Sequence, residues 1–177
     1  MHARGYLLLE LAIVFVLIIV GGFLLIGFAD KLRARALVRQ EVEFLYATCV
    51  LLKARARFDG HMHGIRCDEQ RSGFYIDGAW HVFPKFVNYG AGGVLGAVLG
   101  PPATPTHALE HFVSFPHHEL LFYSDGSMNA GVVYMGSAYA KILYAISSSV
   151  SDPFFLRLYR YTKGSWSLID GLEKSGA

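Results

Sequence analysis

"GYLLLELAIVFVLII", residues 5–19, begins with a glycine and an aromatic residue and sets one carboxylate, Glu10, at the head of an otherwise apolar run. From Leu11 to Ala29 the chain carries no charge, no Asn, no Gln and no Pro. A helix rising 1.5 Å per residue needs about 20 residues to cross about 30 Å of hydrocarbon, so this run reads as a membrane segment. A charge at the middle of such a helix costs about 2.5–3.5 kcal/mol even on the mildest scales. Near an end it costs less, yet Glu10 still requires a partner.

Around this run, 177 residues leave room for one globular domain plus an anchor. The chain is 53% hydrophobic and 17% charged, and its net charge of +2 is too small to imply nucleic acid or anionic lipid as a partner. No repeat or low-complexity tract is present. An ordinary secretory signal peptide fits poorly, because the apolar run is longer than such a core and no A-x-A-like site comes after it. The run gives way directly to Asp30-Lys31-Leu32-Arg33-Ala34-Arg35. A plain single-pass anchor is one reading. With Lys31, Arg33, Arg35 and Arg39 after the run and only Arg4 and the terminal amine before it, the positive-inside rule would put the C-terminal domain in the cytoplasm.

Apolar residues continue at Val38, Val42, Leu45, Cys49 and Leu52, spacings that mark one helical face. Asp59-Gly60 then stops the pattern. The expectation is a helix from Tyr6 to about Phe58, about 80 Å long, transmembrane first and amphipathic afterwards. Gly21, Gly22 and Gly27 are its weak positions, each costing about 1 kcal/mol relative to Ala. Beyond residue 60 short strands appear. "GFYIDG" at 73–78 and "AWHVF" at 79–83 form a pair, and "ELLFY" at 119–123 and "AGVVYM" at 130–135 flank an Asp125-Gly126 turn. Residues 154–161 and 166–169 form a hairpin through Lys163-Gly164. Six or seven strands packed on the amphipathic half-helix give an α+β architecture. Residues 88–111 read as a surface loop or assembly contact. Their glycines lack the Gly-Lys-Ser/Thr and the strand-to-helix setting of a phosphate loop.

Cys49 and Cys67 are compatible with one disulfide, which would stabilise by about 3 kcal/mol on the chain-entropy model, or with two buried thiols. His61, His63 and Cys67 have local ligand spacing, and His117-His118-Glu119 adds an adjacent pair. No complete four-ligand pattern accompanies them, so no metal or cofactor is expected. Nothing resembles a nucleophile elbow, and the chain is not expected to be an enzyme.

The stretch "RGYLLLELAIVFVLIIVGG" resembles the N-terminus of type IV prepilins and type II secretion pseudopilins: a short basic leader ending in Gly, an aromatic residue, then apolar residues with Glu in the fifth mature place. Tyr6 stands where Phe is commonest, a change that keeps the ring. "LLFYSDGSMNAGVVYM" is similar to the Phe-x-x-Asp-Gly segment of minor pseudopilins of the GspH/FimT type, with Phe122, Asp125 and Gly126 matching and Gly131 as the later glycine. The resemblance implies a leader at 1–5, a transmembrane and assembly helix at 6–29, its amphipathic continuation at 30–58 and a β-rich pilin domain at 59–177. It implies cleavage by prepilin peptidase between Gly5 and Tyr6, N-methylation, and an inner-membrane protein whose C-terminal domain lies outside the cytoplasm, against the charge rule. Its partners would be other pilin subunits, the peptidase, the inner-membrane assembly platform and lipid. It also answers for Glu10. The carboxylate would neutralise the freed Tyr6 amine of a neighbouring subunit, and two unit charges about 4 Å apart attract by about 4 kcal/mol at an effective dielectric of 20.

Some relatives of this type take up DNA through basic residues near the C-terminus. Here Arg157, Arg160 and Lys163 share a hairpin with Tyr159, Tyr161 and Trp166. On an extended strand, however, Arg157 and Arg160 point to opposite faces, and Asp152, Asp170 and Glu173 dilute the charge.

Overall fold

A computed structural model describes residues 3–90, 111–150 and 152–169. The central part of the expected 88–111 loop therefore lies outside the described residues, as do Asp170 and Glu173. The chain divides into two compact units, Met1–Arg33 and Ala34–Ala177. A single helix, α1, runs Ala3–Asp59.

The first unit is helical, and its described apolar side chains are open to their surroundings. Phe15, Leu17, Phe23 and Leu25 are all more than half exposed. Its most hydrophobic 18-residue window has a mean hydropathy of 3.0 and no buried residue. This is one helix long and apolar enough to cross a membrane.

The second unit is α+β, as the sequence indicates. The expected helical face is buried, and it extends one turn each way: Ala34, Val38, Val42, Leu45, Cys49, Leu52 and Ala56 all enter one core. Burying each of its larger aliphatic side chains is worth about 1.5–3 kcal/mol. Gly60 takes a left-handed φ of 73° and its N–H donates to the Ala56 carbonyl (3.1 Å), closing the helix where Asp59-Gly60 predicts.

Nine strands, among the described residues, form two antiparallel sheets rather than the expected six or seven strands. Sheet A holds β1 (His63–Asp68), β2 (Gly73–Ile76), β3 (Ala79–Val82) and β5 (Glu119–Phe122) in the order β3-β2-β1-β5. Sheet B holds β4 (Asn88–Tyr89), β6 (Gly131–Ser137), β7 (Ile142–Ser149), β8 (Asp152–Thr162) and β9 (Ser165–Leu168) in the order β4-β6-β7-β8-β9. Both predicted two-residue hairpins form. Asp77-Gly78 and Lys163-Gly164 each take two successive positive φ values, which matches the right-handed twist of the flanking strands.

The 119–123 and 130–135 runs are not sheet partners. The first belongs to sheet A and the second to sheet B, so the Asp125-Gly126 turn passes the chain between sheets. Inward-facing residues of both sheets (Ile65, Phe74 and Phe122 from A; Val133, Tyr144 and Ile146 from B) meet α1 in the main core. The opposite face of sheet B carries a second, smaller cluster around Tyr134, Leu143, Ala145 and Tyr159.

Candidate functional site

Gly5 and Tyr6 fall in the helical backbone of α1, and Glu10 is exposed with no partner in its own chain among the described residues. Immediately after it begins the exposed apolar surface. Among the described residues, a Cβ added at Gly21, Gly22 or Gly27 would touch nothing within 4 Å, so these glycines leave shallow spots along the apolar run.

The turn motif is built against the end of α1. Phe122, the last residue of β5, is fully buried on the inner face of sheet A. The Gly126 N–H donates to the Tyr123 carbonyl (2.9 Å), and Gly126 adopts φ 86°. Asp125 Oδ1 accepts from the Ser127 N–H (2.8 Å) and its hydroxyl (2.6 Å). The Ser127 hydroxyl is the larger cause, and the backbone N–H the next, of an Asp125 carboxyl held below the usual range. Gly126 sits under Arg57 of α1, 2.7 Å from Cδ for an added Cβ, and Gly131 faces Phe115 even more closely. Phe122, Asp125 and Gly126 thus belong to the crossing between sheets, with Gly126 seated on the helix, whereas Gly131 makes room for Phe115.

Beside this turn lies a polar clasp that the sequence pattern does not reveal. Asp59 at the helix end accepts from the His61 N–H (2.9 Å) and pairs with His63 Nε2 (2.7 Å). Arg55 donates to Asp77 in the β2–β3 turn (2.8 Å). The His61 N–H first, then His63, hold the Asp59 carboxyl below its ordinary value. On the inner side of sheet A, His81 lies between Phe44 and Phe74, with ring centroids 4.9 and 4.7 Å away, and pairs with Glu41 at 2.8 Å. The sequence signals for the clasp are the recurrence of Asp-Gly at 59–60 and 77–78 and the close spacing of His61 and His63, which reads as ligand spacing and instead serves Asp59.

The basic hairpin is divided as the strand alternation requires. Arg160 stands on the helix-facing side, its guanidinium 6.0 Å from the Tyr144 ring and near the Arg39–Glu43 pair. Arg157 pairs across from Ser147 on the other side, with Tyr159 and Tyr161. Lys163 sits in the turn at φ 50°. Trp166 packs edge-on against Tyr161 at 5.1 Å and lies 5.9 Å from Tyr134, so its ring belongs to the second cluster.

Cys49 and Cys67 are free thiols, both buried, so of the two sequence alternatives the structure takes the thiols and not the disulfide. Cys49 projects from the core face of α1 and Cys67 from β1. Burial pushes the Cys49 thiol far up, and Cys67 is raised to about 11 by burial. The Tyr89 hydroxyl, donating to the Gly73 carbonyl (2.9 Å), adjoins Cys67 and is itself raised by burial. At neutral pH both sulfurs are protonated and unreactive. Among the described residues no three His, Cys, Asp or Glu side chains are arranged to hold a metal ion. His61 and His63 instead serve Asp59, and His118 lies 3.3 Å from Glu69.

No family model matches the chain, and neither a curated protein nor a solved structure is significantly similar to it.

Proposed function

We propose that this protein is a minor pilin or pseudopilin: a non-enzymatic structural subunit, cut by prepilin peptidase between Gly5 and Tyr6, anchored in the inner membrane, and assembled into a type IV pilus or secretion pseudopilus through Glu10 and α1. The observation that carries the reading is the junction at residue 10. A lone carboxylate precedes a charge-free run whose side chains stay exposed in the single chain. Exposed Leu, Ile, Val and Phe over some five helical turns need lipid or neighbouring helices to cover them. A carboxylate at their edge needs a cation. A packed filament of pilin stems, in which the freed N-terminal amine of a neighbouring subunit meets Glu10, supplies both.

The plain-anchor reading explains the apolar run but assigns Glu10 nothing. DNA uptake draws on Arg157, Arg160 and Lys163, and their division between two faces leaves no continuous phosphate track. Intact-mass measurement of membrane-extracted protein tests the proposal. The expected product begins at Tyr6 and carries one added methyl group, whereas an uncut chain refutes it. Glu10→Ala is expected to abolish recovery of the protein in sheared filaments while leaving membrane insertion intact. Orientation is tested with a membrane-impermeant maleimide on Lys163→Cys, since both native thiols are buried. Labelling of intact cells is expected, and labelling only after lysis would place the domain in the cytoplasm.

A further inference from the structure

The outer face of sheet A carries a row of side chains that the filament reading does not use. Cross-strand register aligns Trp80 with Tyr75, Tyr75 with Arg66, and Arg66 with Glu119. Their sequence neighbours Ile65, Cys67, Phe74 and Leu120 point the other way into the core, so alternation commits this row to the surface.

The Tyr75 and Trp80 rings lie 4.6 Å apart. The two rings are inclined at 46°, and the indole extends over Gly73, where an added Cβ would come within 2.5 Å of ring carbon Cζ2, so the missing side chain leaves room for the ring. Arg71 donates to the Tyr75 hydroxyl (3.3 Å), and the Arg66 side chain is 69% exposed. Two open cavities of about 580 and 300 Å³ share Arg66 and Tyr75, giving a groove across β1, β2 and β5, and Trp80 stands at its edge against Tyr75. Four strands span about 14 Å, long enough for more than one ring of a polymeric ligand.

The lining chemistry narrows the ligand. Two arginines, Arg66 and Arg71, and four histidines, His63, His111, His117 and His118, share this lining with four carboxylates, those of Asp68, Glu69, Asp77 and Glu119. A polyanion needs an excess of cations at its phosphates, and with neutral imidazoles the carboxylates outnumber the guanidinium groups two to one. A wholly apolar ligand would strip water from the guanidinium and carboxylate groups without replacing their hydrogen bonds. The remaining match is a neutral ligand with a flat C–H face for the aromatic pair and a rim of hydroxyls. Each hydroxyl both donates to a carboxylate and accepts from a guanidinium. We propose that this face of sheet A binds a neutral oligosaccharide chain, with Trp80 and Tyr75 as the stacking floor and Arg66 and Glu119 as the hydroxyl-binding pair.

The test uses the full chain in a zwitterionic detergent free of sugar, titrated calorimetrically with cellohexaose, maltohexaose and chitohexaose, and separately with single-stranded oligothymidine. At least one saccharide is expected to bind and to perturb tryptophan fluorescence in a Trp166→Phe background, where Trp80 is the only reporter. Trp80→Ala and Arg66→Ala are each expected to weaken that binding about ten-fold or more, and Arg157→Ala, on the other sheet, to leave it unchanged. If Trp80→Ala loses its native circular dichroism, the exposed substitutions Arg66→Ala and Glu119→Gln decide alone. The proposal is overturned if none of the three saccharides binds, if binding survives the substitutions that fold, or if oligothymidine competes for the same face at physiological salt.

Discussion

Gly131 lies flat against Phe115: a Cβ built on it would overlap the ring and stand 2.9 Å from the Phe115 Cα. The approach to the Cα matters more, because a ring can rotate and a backbone atom cannot. The first residue of β6 must therefore be glycine for the 112–115 segment to lie along that strand, where the Tyr134 N–H donates to the Phe112 carbonyl (2.8 Å) and the Ser114 N–H to the Val132 carbonyl (2.9 Å).

Gly131→Ala is expected to destabilise the protein by about 2 kcal/mol or more, the range of a core insertion that forces backbone movement. Phe115→Leu in the same chain should restore only part of this, since the contact with the Cα persists. Chemical denaturation of the single and double variants measures both; full rescue would show that the ring alone sets the requirement.

Gly126 combines two demands that can be separated. Its φ of 86° costs a residue with a Cβ about 1–2 kcal/mol, and Arg57 adds crowding at 2.7 Å. Gly126→Ala should be destabilising, and Arg57→Ala should recover the crowding part while the backbone part remains. The comparison is a double-mutant cycle in urea.

The Asp59 clasp ties stability to acid. Its carboxyl is held below the ordinary value near 3.9, so its contribution is full above about pH 5 and is lost as pH falls through the lower folded value. Asp59→Asn should lower Tm at pH 7 and flatten the loss of Tm between about pH 5 and pH 2. An unchanged acid slope in the variant would remove Asp59 from the account.

Both cysteines should resist thiol–disulfide exchange in the native state. At pH 8, with Cys67 raised to about 11 and Cys49 fully buried, reaction with an aromatic disulfide reagent is expected to be slow until denaturant is added, when both sulfurs titrate. Two prompt equivalents from the folded protein would contradict this packing.

Much of the scaffold is legible in local pattern. The apolar spacing of Val38, Val42, Leu45, Cys49 and Leu52 predicts the buried face of α1, because helical periodicity depends only on neighbours along the chain. Asp59-Gly60, Asp77-Gly78 and Lys163-Gly164 mark their turns because positive φ favours glycine. Strand alternation alone separates Arg157 from Arg160. The candidate groove was not legible: Trp80, Tyr75, Arg66 and Glu119 come from four strands, and their alignment rests on pairing register between β1 and β5, more than 50 residues apart.

By itself the sequence determined the charge-free span behind Glu10, the amphipathic half of α1, and the places where the chain turns. Each of these is a consequence of residue type and short-range spacing. The tertiary structure decided that the 119–123 and 130–135 runs join different sheets, that Cys49 and Cys67 remain thiols, and that aromatic and charged side chains gather on the outer face of sheet A. Those outcomes depend on which distant strands pair and how closely they approach, and no local propensity carries that information.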